Sequence, residues 1–492
     1  MEWGSHVTRL GETTLKEKTV SFGINDADRL RHLCVLGRSG SGKAALMVQV
    51  ALQDIERGIG TVFLDASGAG ARLLIERLPA KFEEKVIYLD PANAEYPYSW
   101  NPLDDIKALP EAGRRKQLIL LLVSLYHVAE NPLVAHAADV MLARAGTTLI
   151  TFHLLITDEK AREVFFKKDA KGKKAFEELL KAHPDVAKTL EEEGRYVGRD
   201  TLVKNLLGQA ESRFSVTRAA EEGKVVIVDF SSIRMFPTRM NPIVRTFVAA
   251  TAMQAAHGIR PVSLHLIDCL RYLDEPVIEH AFSAEALAVS LSDAVQQEAD
   301  QERRSLAISR CGSIASFSTS TSDKAVIERT FYPYADAETL ARLEKDEMIV
   351  AMAIDAVRAR PFYAKALPLP PRGSISYQDL LVAARERYTT PRASVDRLFQ
   401  AQKGGDKGDT PPGRRRGPGG FQDAFRSIME SRAKGMPFDT KKKQETGNKK
   451  QEKGHEGKDR GQETGDKKQE KKKQEVPEDV LKKLLYVQPI AS

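Results

Sequence analysis

Cysteine is scarce in this chain: three residues in 492, Cys34, Cys269 and Cys311, with no paired spacing. That excludes a disulfide framework and a cysteine-ligated zinc site, and it fits a reducing compartment such as the cytoplasm. Long apolar runs are missing too. The longest, Leu118 to Tyr126, falls far short of the roughly 20 residues that span a bilayer. Met1 to Lys16 lacks the apolar centre of a signal sequence. Aromatic residues are only 7%, but 42% hydrophobic residues are enough for a chain of two or three domains. Positive charge is missing from most of the length. The net charge is +7, yet residues 401–492 hold 23 Lys/Arg against 15 Asp/Glu, and residues 1–400 hold 52 against 53. The pI near 9.0 belongs to the tail. Charge alone gives no reason to expect nucleic-acid binding by the body of the chain.

What the tail has instead is repetition. Lys441-Lys442-Lys443-Gln444-Glu445-Thr446-Gly447, Lys449-Lys450-Gln451-Glu452 and Lys471-Lys472-Lys473-Gln474-Glu475 vary one theme. Residues 403–475 cannot bury enough apolar surface to offset chain entropy, so disorder is expected there. Two readings stand: a basic arm for nucleic acid or acidic lipid, or a mixed-charge solubilising linker. Residues 476–492 end on a short amphipathic pattern, expected as a terminal helix that docks on a partner or back on the core.

The most informative stretch is Gly37-Arg38-Ser39-Gly40-Ser41-Gly42-Lys43-Ala44. The apolar run His32–Leu36 precedes it, and the helix-like segment Ala45–Leu52 follows. Strand, glycine-rich loop and helix in that order read as a phosphate-binding loop. The glycines let successive N–H groups turn inward, and the helix N-terminus adds partial positive charge. Lys43 is expected on the outer phosphates of ATP, with residues 37 to 45, including Ala45, forming the cradle. A plain Gly/Ser turn is the alternative. Position 44 carries Ala where Ser or Thr normally gives an oxygen to Mg²⁺. Mg²⁺ retains several waters, so binding can survive that loss more readily than hydrolysis can.

Along the chain, residues 1–30 read as a lead-in with a strand pair near Val7–Leu10 and Thr19–Phe22. Strands are expected at Thr61–Asp65, Lys85–Asp90, Lys224–Phe230, Pro261–Asp268, Leu287–Leu291, Gly312–Phe317, Glu347–Ile354 and Val357–Ala364. Helical patterns between them, at Ala71–Leu78 and Asn241–His257, imply a parallel sheet with crossovers. Helical periodicity dominates 106–222, in Gln117–Val128, Ala135–Leu154 and Thr201–Leu207. The expected organisation is therefore an α/β sheet core over 31–105 and 223–370 and an all-α insertion over 106–222. A helical segment over 371–402 precedes the tail. One continuous domain with a helical half is the alternative.

With these elements placed, the chain resembles the FtsK/HerA superfamily of DNA-pumping ATPases, and most of all the coupling proteins of type IV secretion and conjugation. Asp28–His32 resembles the family's entry strand, Gln53–Gly60 follows the loop as in the family, and Asn101-Pro102-Leu103 matches a recurring turn before its helical domain. The resemblance implies a RecA-like P-loop NTPase sheet with an all-α insertion, assembled as a ring around DNA. It also implies roles for single residues. The family carries Asp-Glu after the strand that corresponds to Leu264–Ile267; this chain carries Asp268-Cys269. Asp268 is thereby expected in a weak Mg²⁺ shell, while Cys269 cannot position water, a role worth about 10²–10⁴-fold in rate. The family's next strand ends in a polar sensor, usually Gln, where Asp293 follows Ser292 here. Ala66-Ser67-Gly68-Ala69 stands where the family favours Pro-His-Gly-Asp.

Three losses in one small volume imply a degenerate, weakly hydrolysing or non-hydrolysing subunit. Such a subunit would scaffold or regulate a secretion or DNA-transfer apparatus within a homo- or hetero-oligomeric ring, beside an active ATPase paralogue. The alternatives are an active translocating ATPase that recruits Asp274, Glu275 or a neighbouring subunit, and an adaptor with a vestigial ATP site. Arg303, Arg304 and Arg310 are candidates for reaching a neighbour's phosphates or for surface ion pairs. Arg239 and Arg245 are candidates for lining a DNA channel or a solvated groove, and His265 is expected as a packed core histidine. Family relatives usually carry N-terminal membrane helices, so any membrane association here is expected through partners.

Overall fold

A computed structural model describes residues 6–15, 17–192, 200–234, 237–257, 260–293, 301–319 and 330–402. All of these belong to one compact unit. The repeats of 403–475 and the terminal pattern of 476–492 lie outside the described residues, as does the side chain of Arg239.

The strands are β1 (Val7–Leu15), β2 (Lys18–Asn25), β3 (Leu33–Leu36), β4 (Gly60–Asp65), β5 (Val86–Leu89), β6 (Val225–Asp229), β7 (Val262–Ile267) and β8 (Leu287–Asp293). They continue with β9 (Ser313–Ser316), β10 (Glu347–Ala351), β11 (Ala353–Ile354), β12 (Val357–Arg358) and β13 (Phe362–Ala366). Eleven of them form one sheet in the order β2-β1-β13-β10-β9-β3-β8-β7-β4-β6-β5, and β11 and β12 pair as a separate ribbon. From β9 to β5 the pairing is parallel. From β9 outwards to β2 it is antiparallel. Strands β3, β4, β6 and β7 are buried along their whole length; β3 and β6 accordingly read as nearly continuous apolar runs, whereas buried Ser263 and His265 interrupt β7.

Each face of the sheet is covered. One carries the helices Lys43–Glu56, Ala69–Arg77 and Tyr377–Tyr388, packed through Leu46, Val50, Ile55, Leu74 and Leu380. The other carries the helices that lie between β5 and β6, with Pro237–His257, Glu275–Phe282 and Gln301–Arg310. The apolar cluster on that second face is continuous from Cys34 and Leu64 in the sheet to Phe152 and Leu190 in the helices.

Several expectations shift. The β1–β2 hairpin is an integral edge of the large sheet, joined through Gly11↔Ala366 and Glu12↔Lys365. The periodic run 135–154 is two helices, Pro132–Leu142 and Leu149–Thr157. Gly146 at φ 71° and a capping box on Thr148 and Thr151 break it. The segment 376–402 is likewise two helices, Tyr377–Tyr388 and Arg392–Gln402, interrupted before Pro391. Asn101-Pro102-Leu103 opens a helix: the Asn101 side chain accepts from Leu103 N, and Pro102 takes the first position.

Two buried polar systems lock the sheet. The Arg29 guanidinium donates to Ser290 Oγ at 2.8 Å and to Asp54 Oδ2 at 2.9 Å, and His265 Nε2 lies 3.2 Å from the same Oδ2. Burial alone would raise the Asp54 pKa, but Arg29 and His265 more than offset it and hold it below the usual value. His265 is thus the core histidine expected, with a charged partner the sequence did not reveal. His32 donates from Nε2 to Phe282 O at 3.0 Å and accepts at Nδ1 from Val289 N at 3.2 Å, an assignment that requires the neutral ring. Burial lowers the His32 pKa to about 4 and that of His265 below its ordinary value. A histidine with a depressed folded pKa contributes stability that is complete above about 6.5 and is lost as pH falls towards the folded value. Urea unfolding should therefore show about 3 kcal/mol less stability at pH 4 than at pH 7 from His32 alone. A profile that stays flat across this window would contradict the buried, neutral assignment.

Candidate functional site

The site lies at the C-terminal ends of the parallel strands, where α/β sheets bind ligands. The loop from Gly37 to Gly42 leaves β3 and enters the helix Lys43–Glu56. Arg38 N donates to Ser318 O at 2.8 Å, and Ser41 Oγ donates back to Arg38 O at 2.8 Å. From the other side, Asp346 N donates to Ser41 O at 3.0 Å. Two positions in the loop require glycine. Gly40 has φ 80° and Gly42 φ 116°, and a Cβ on Gly42 would approach Asp346 Oδ1 to 2.7 Å and Phe317 Cε1 to 3.0 Å. Gly42 caps the helix without a side chain, so the first-turn N–H groups of the helix have no intrahelical acceptor.

Beyond the loop, strand ends supply the charged groups. Lys43 Nζ donates to Asp268 Oδ1 at 2.6 Å; the lysine is nearly buried and the carboxylate 29% exposed, so the pair is open to the cleft. Asp268 follows β7 in the left-handed region at φ 53°, and its N–H donates to Ser292 O. A cleft of about 1020 Å³ surrounds the pair, lined by Ser39, Gly40, Gly42, Lys43, Ala44 and Ala45. Asp268, Ser67 and Arg234 close one side, and Glu12, Lys345, Asp346, Lys365 and Ala366 to Leu369 close the other. Four cationic side chains stand against three acidic ones, a balance that suits a polyanion.

The sequence-derived candidates separate here. Residues 39, 40 and 42 to 45 and Asp268 converge on the cleft, whereas Cys269 and Asp293 are absent from its lining. Cys269 is fully buried in the apolar layer on the opposite face, with Sγ 3.5 Å from Leu64 O and 3.3 Å from Ile267 O. Burial pushes its thiol well above the ordinary range, so it is no base. Along β8, Ser290 meets Arg29 beside the loop helix, and alternation places Ser292 on that face and Asp293 on the other. Asp293 there lies 3.7 Å from Arg304 Nε, a nearly buried pair. The picture of Asp293 facing a phosphate is thus replaced by an acid neutralised within the chain.

Other candidates move away from the chemistry. Arg245 is buried, bonded to Ser124 O, Tyr272 O and His127, which rules out a channel or groove role. Arg310 pairs with Glu279 at the surface. Asp274 caps the helix Glu275–Phe282 through Val277 N and does not line the cleft. The turn 66–69 is organised by Asp65, whose carboxylate accepts from Ser67 N, Ser67 Oγ and Ala71 N at 2.7 Å each. Burial raises the Asp65 pKa. Sequence reasoning missed Glu12, Lys345, Asp346, Lys365 and Leu367 to Leu369. Glu12 and Lys365 meet because β13 pairs with β1, and Asp346 is held at the loop by its N–H to Ser41 O, contacts between distant parts of the chain that no local pattern announces.

The residues present fit a triphosphate. The glycine cradle admits close backbone approach, and Lys43 and Arg234 supply positive charge. They fit Mg²⁺ less well: Asp268 offers a carboxylate oxygen, while Ala44 offers none and Cys269 faces elsewhere.

Fold and site together define a P-loop NTPase architecture. Solved structures with the same fold include the bacterial conjugative coupling protein TrwBdeltaN70 in an unbound monoclinic form, at 14% identity and TM-score 0.51 over 76% of this chain and 91% of that one. The plasmid coupling protein TrwB in complex with the non-hydrolysable ATP analogue ADPNP aligns at 14% identity and TM-score 0.51, over 74% of this chain and 91% of that chain. The same protein in complex with ADP and Mg²⁺ aligns at 14% and 0.51, over 76% and 98%. No protein-family model matches the sequence, and no curated protein sequence matches it. No helix among the described residues is long and apolar enough to cross a membrane.

The burial of Cys269 yields a sharp expectation. Cys269→Glu, which restores the family's acid on paper, places an unpaired charge in an apolar layer and should cost several kcal/mol of stability. Chemical denaturation of the variant checks this; a variant as stable as the parent that also gains ATP turnover would contradict the placement.

Proposed function

We propose that this chain binds ATP at the Gly37–Ala45 loop and hydrolyses it weakly or not at all. We further propose that it serves as a subunit of a conjugative DNA-transfer or type IV secretion apparatus. The observation that carries the reading is the Lys43–Asp268 pair in the cleft, beside a glycine cradle and with no second oxygen donor at position 44 or 269. Lys43 is free to exchange its carboxylate partner for phosphate oxygens, and Asp268 is then the one strand-end acid left to face a cation. Neither family position supplies a carboxylate to orient a water at the terminal phosphate, because Cys269 is buried and Asp293 pairs with Arg304.

The likeness in fold to structures named as conjugative coupling proteins supports the cellular setting. In that setting the chain acts within a homo- or hetero-oligomeric ring, with DNA and an active ATPase paralogue as partners. Its nucleotide then serves as a structural ligand that stiffens the loop and the strand ends around it.

Equilibrium binding of ATP to the full chain, together with steady-state turnover with and without DNA, tests the reading. Binding is expected with little or no DNA-stimulated turnover, and Lys43→Ala should weaken binding at least about tenfold. DNA-stimulated hydrolysis abolished by Lys43→Ala would replace this reading with an active translocase. No ATP binding at all would leave an adaptor.

A further inference from the structure

The cleft is asymmetric about the loop, and the asymmetry assigns its two ends. Strand β7, which delivers Asp268, lies two places to one side of β3; β10, which Asp346 precedes, lies two places to the other. The Asp268 end carries Arg234 and Ser67 and suits phosphates. The opposite end carries Glu12, Lys345 and Lys365 together with an apolar wall, Leu367 to Leu369, which lines the cleft with Ala45 of the loop helix. Gln49, one turn below Ala45, approaches Pro368 O at 3.5 Å, and Gln53 clasps the Arg9 backbone at 2.8 and 2.9 Å. The wall is therefore fixed to the helix that starts the phosphate cradle.

Asp346 marks the junction of the two ends. Its backbone is held at φ 65° by its N–H to Ser41 O and by Ala366 N donating to its own carbonyl at 2.9 Å. Its carboxylate lies beside Gly42, and among the described residues no hydrogen bond or ion pair engages that carboxylate. We propose that Asp346 accepts the ribose hydroxyls of a nucleotide whose phosphates lie on the Gly37–Lys43 loop, with Leu367, Leu369 and Ala45 covering the base. This rests on the loop being a triphosphate site, and it adds the chemical class of the rest of the ligand: a ribonucleotide, read strongly at the sugar and weakly at the base.

The weak reading of the base follows from the wall's own hydrogen bonds. Ala366 N is engaged by Asp346 O, Leu367 N by Leu10 O, and Pro368 has no N–H to offer. A surface of leucine and proline in which two of the three amides are occupied binds a purine face mainly by apolar contact and distinguishes its edges poorly. A carboxylate that accepts from a sugar hydroxyl distinguishes ribose from deoxyribose, as acidic residues do in dinucleotide sites.

Competition binding to the full chain with ATP, GTP, 2′-deoxy-ATP and inorganic tripolyphosphate tests this. ATP and GTP are expected within about threefold of each other, with 2′-deoxy-ATP and tripolyphosphate each about tenfold weaker than ATP or more. Asp346→Gly, which removes the acceptor and keeps the left-handed backbone accessible, should bring the ATP to deoxy-ATP ratio close to one. Leu367→Ser should lower the ratio of ATP to tripolyphosphate affinity, an independent check if the first variant folds poorly. Tripolyphosphate binding as tight as ATP, or an unchanged sugar ratio in Asp346→Gly, would overturn the assignment while leaving the phosphate loop standing. Failure of every probe to bind would overturn the loop reading itself.

Discussion

Lys43 and Asp268 meet at 2.6 Å across a sequence separation of 225 residues, and much of the architecture exists to make that meeting possible. Lys43 begins a helix whose underside is cemented to the sheet by apolar packing and by the Arg29–Asp54–His265 contacts. Asp268 ends a strand separated from the loop strand by β8, and the backbone bond from its own N–H to Ser292 O fixes its height. A parallel sheet brings such strand ends together without regard to sequence distance, because every crossover returns the chain in the same direction. The ion pair also has a local electrostatic logic. A cation at the start of a helix is unfavourable to the helix dipole, and the neighbouring carboxylate offsets it until a phosphate takes that place.

Around this pair, the three positions that the resemblance assigns to hydrolysis differ from the family pattern or lie away from the cleft. Ala44 has no oxygen, Cys269 has been absorbed into an apolar layer, and Asp293 is paired with Arg304 on the far face of the sheet. The three changes differ in kind. The first is a missing atom, the second is a buried group held protonated, and the third is an acid whose charge is cancelled within the chain. In the function we propose, what persists is a shape and a positive field for holding a triphosphate, without the family's water-orienting groups.

Much of the parallel sheet was legible from sequence because strands buried on both faces leave unbroken apolar runs, as in Val225–Asp229. The loop was legible because its glycines are required by backbone conformation. The rest was hidden for identifiable reasons. The antiparallel edge depends on β1 pairing with β13, so Glu12 and Lys365 reach the cleft through register, and Asp346 through its backbone bond to Ser41. Asp293 was misjudged because its role turns on which side of β8 it faces, a one-residue matter that sequence order does not reveal. The broken helix at 143–148 shows the opposite failure: periodicity continued through a site where one helix stops at Leu142 and Thr148 caps the start of the next.

The central claim is that the triphosphate cradle persists while the atoms that would cut its ligand do not. The most direct measurement is the chemical identity of nucleotide recovered from the full chain after prolonged incubation with ATP and Mg²⁺ in single-turnover conditions. Intact ATP, recovered when the protein is denatured, is the predicted result. Conversion of the bound nucleotide to ADP within minutes would contradict the claim and return this chain to the working ATPases.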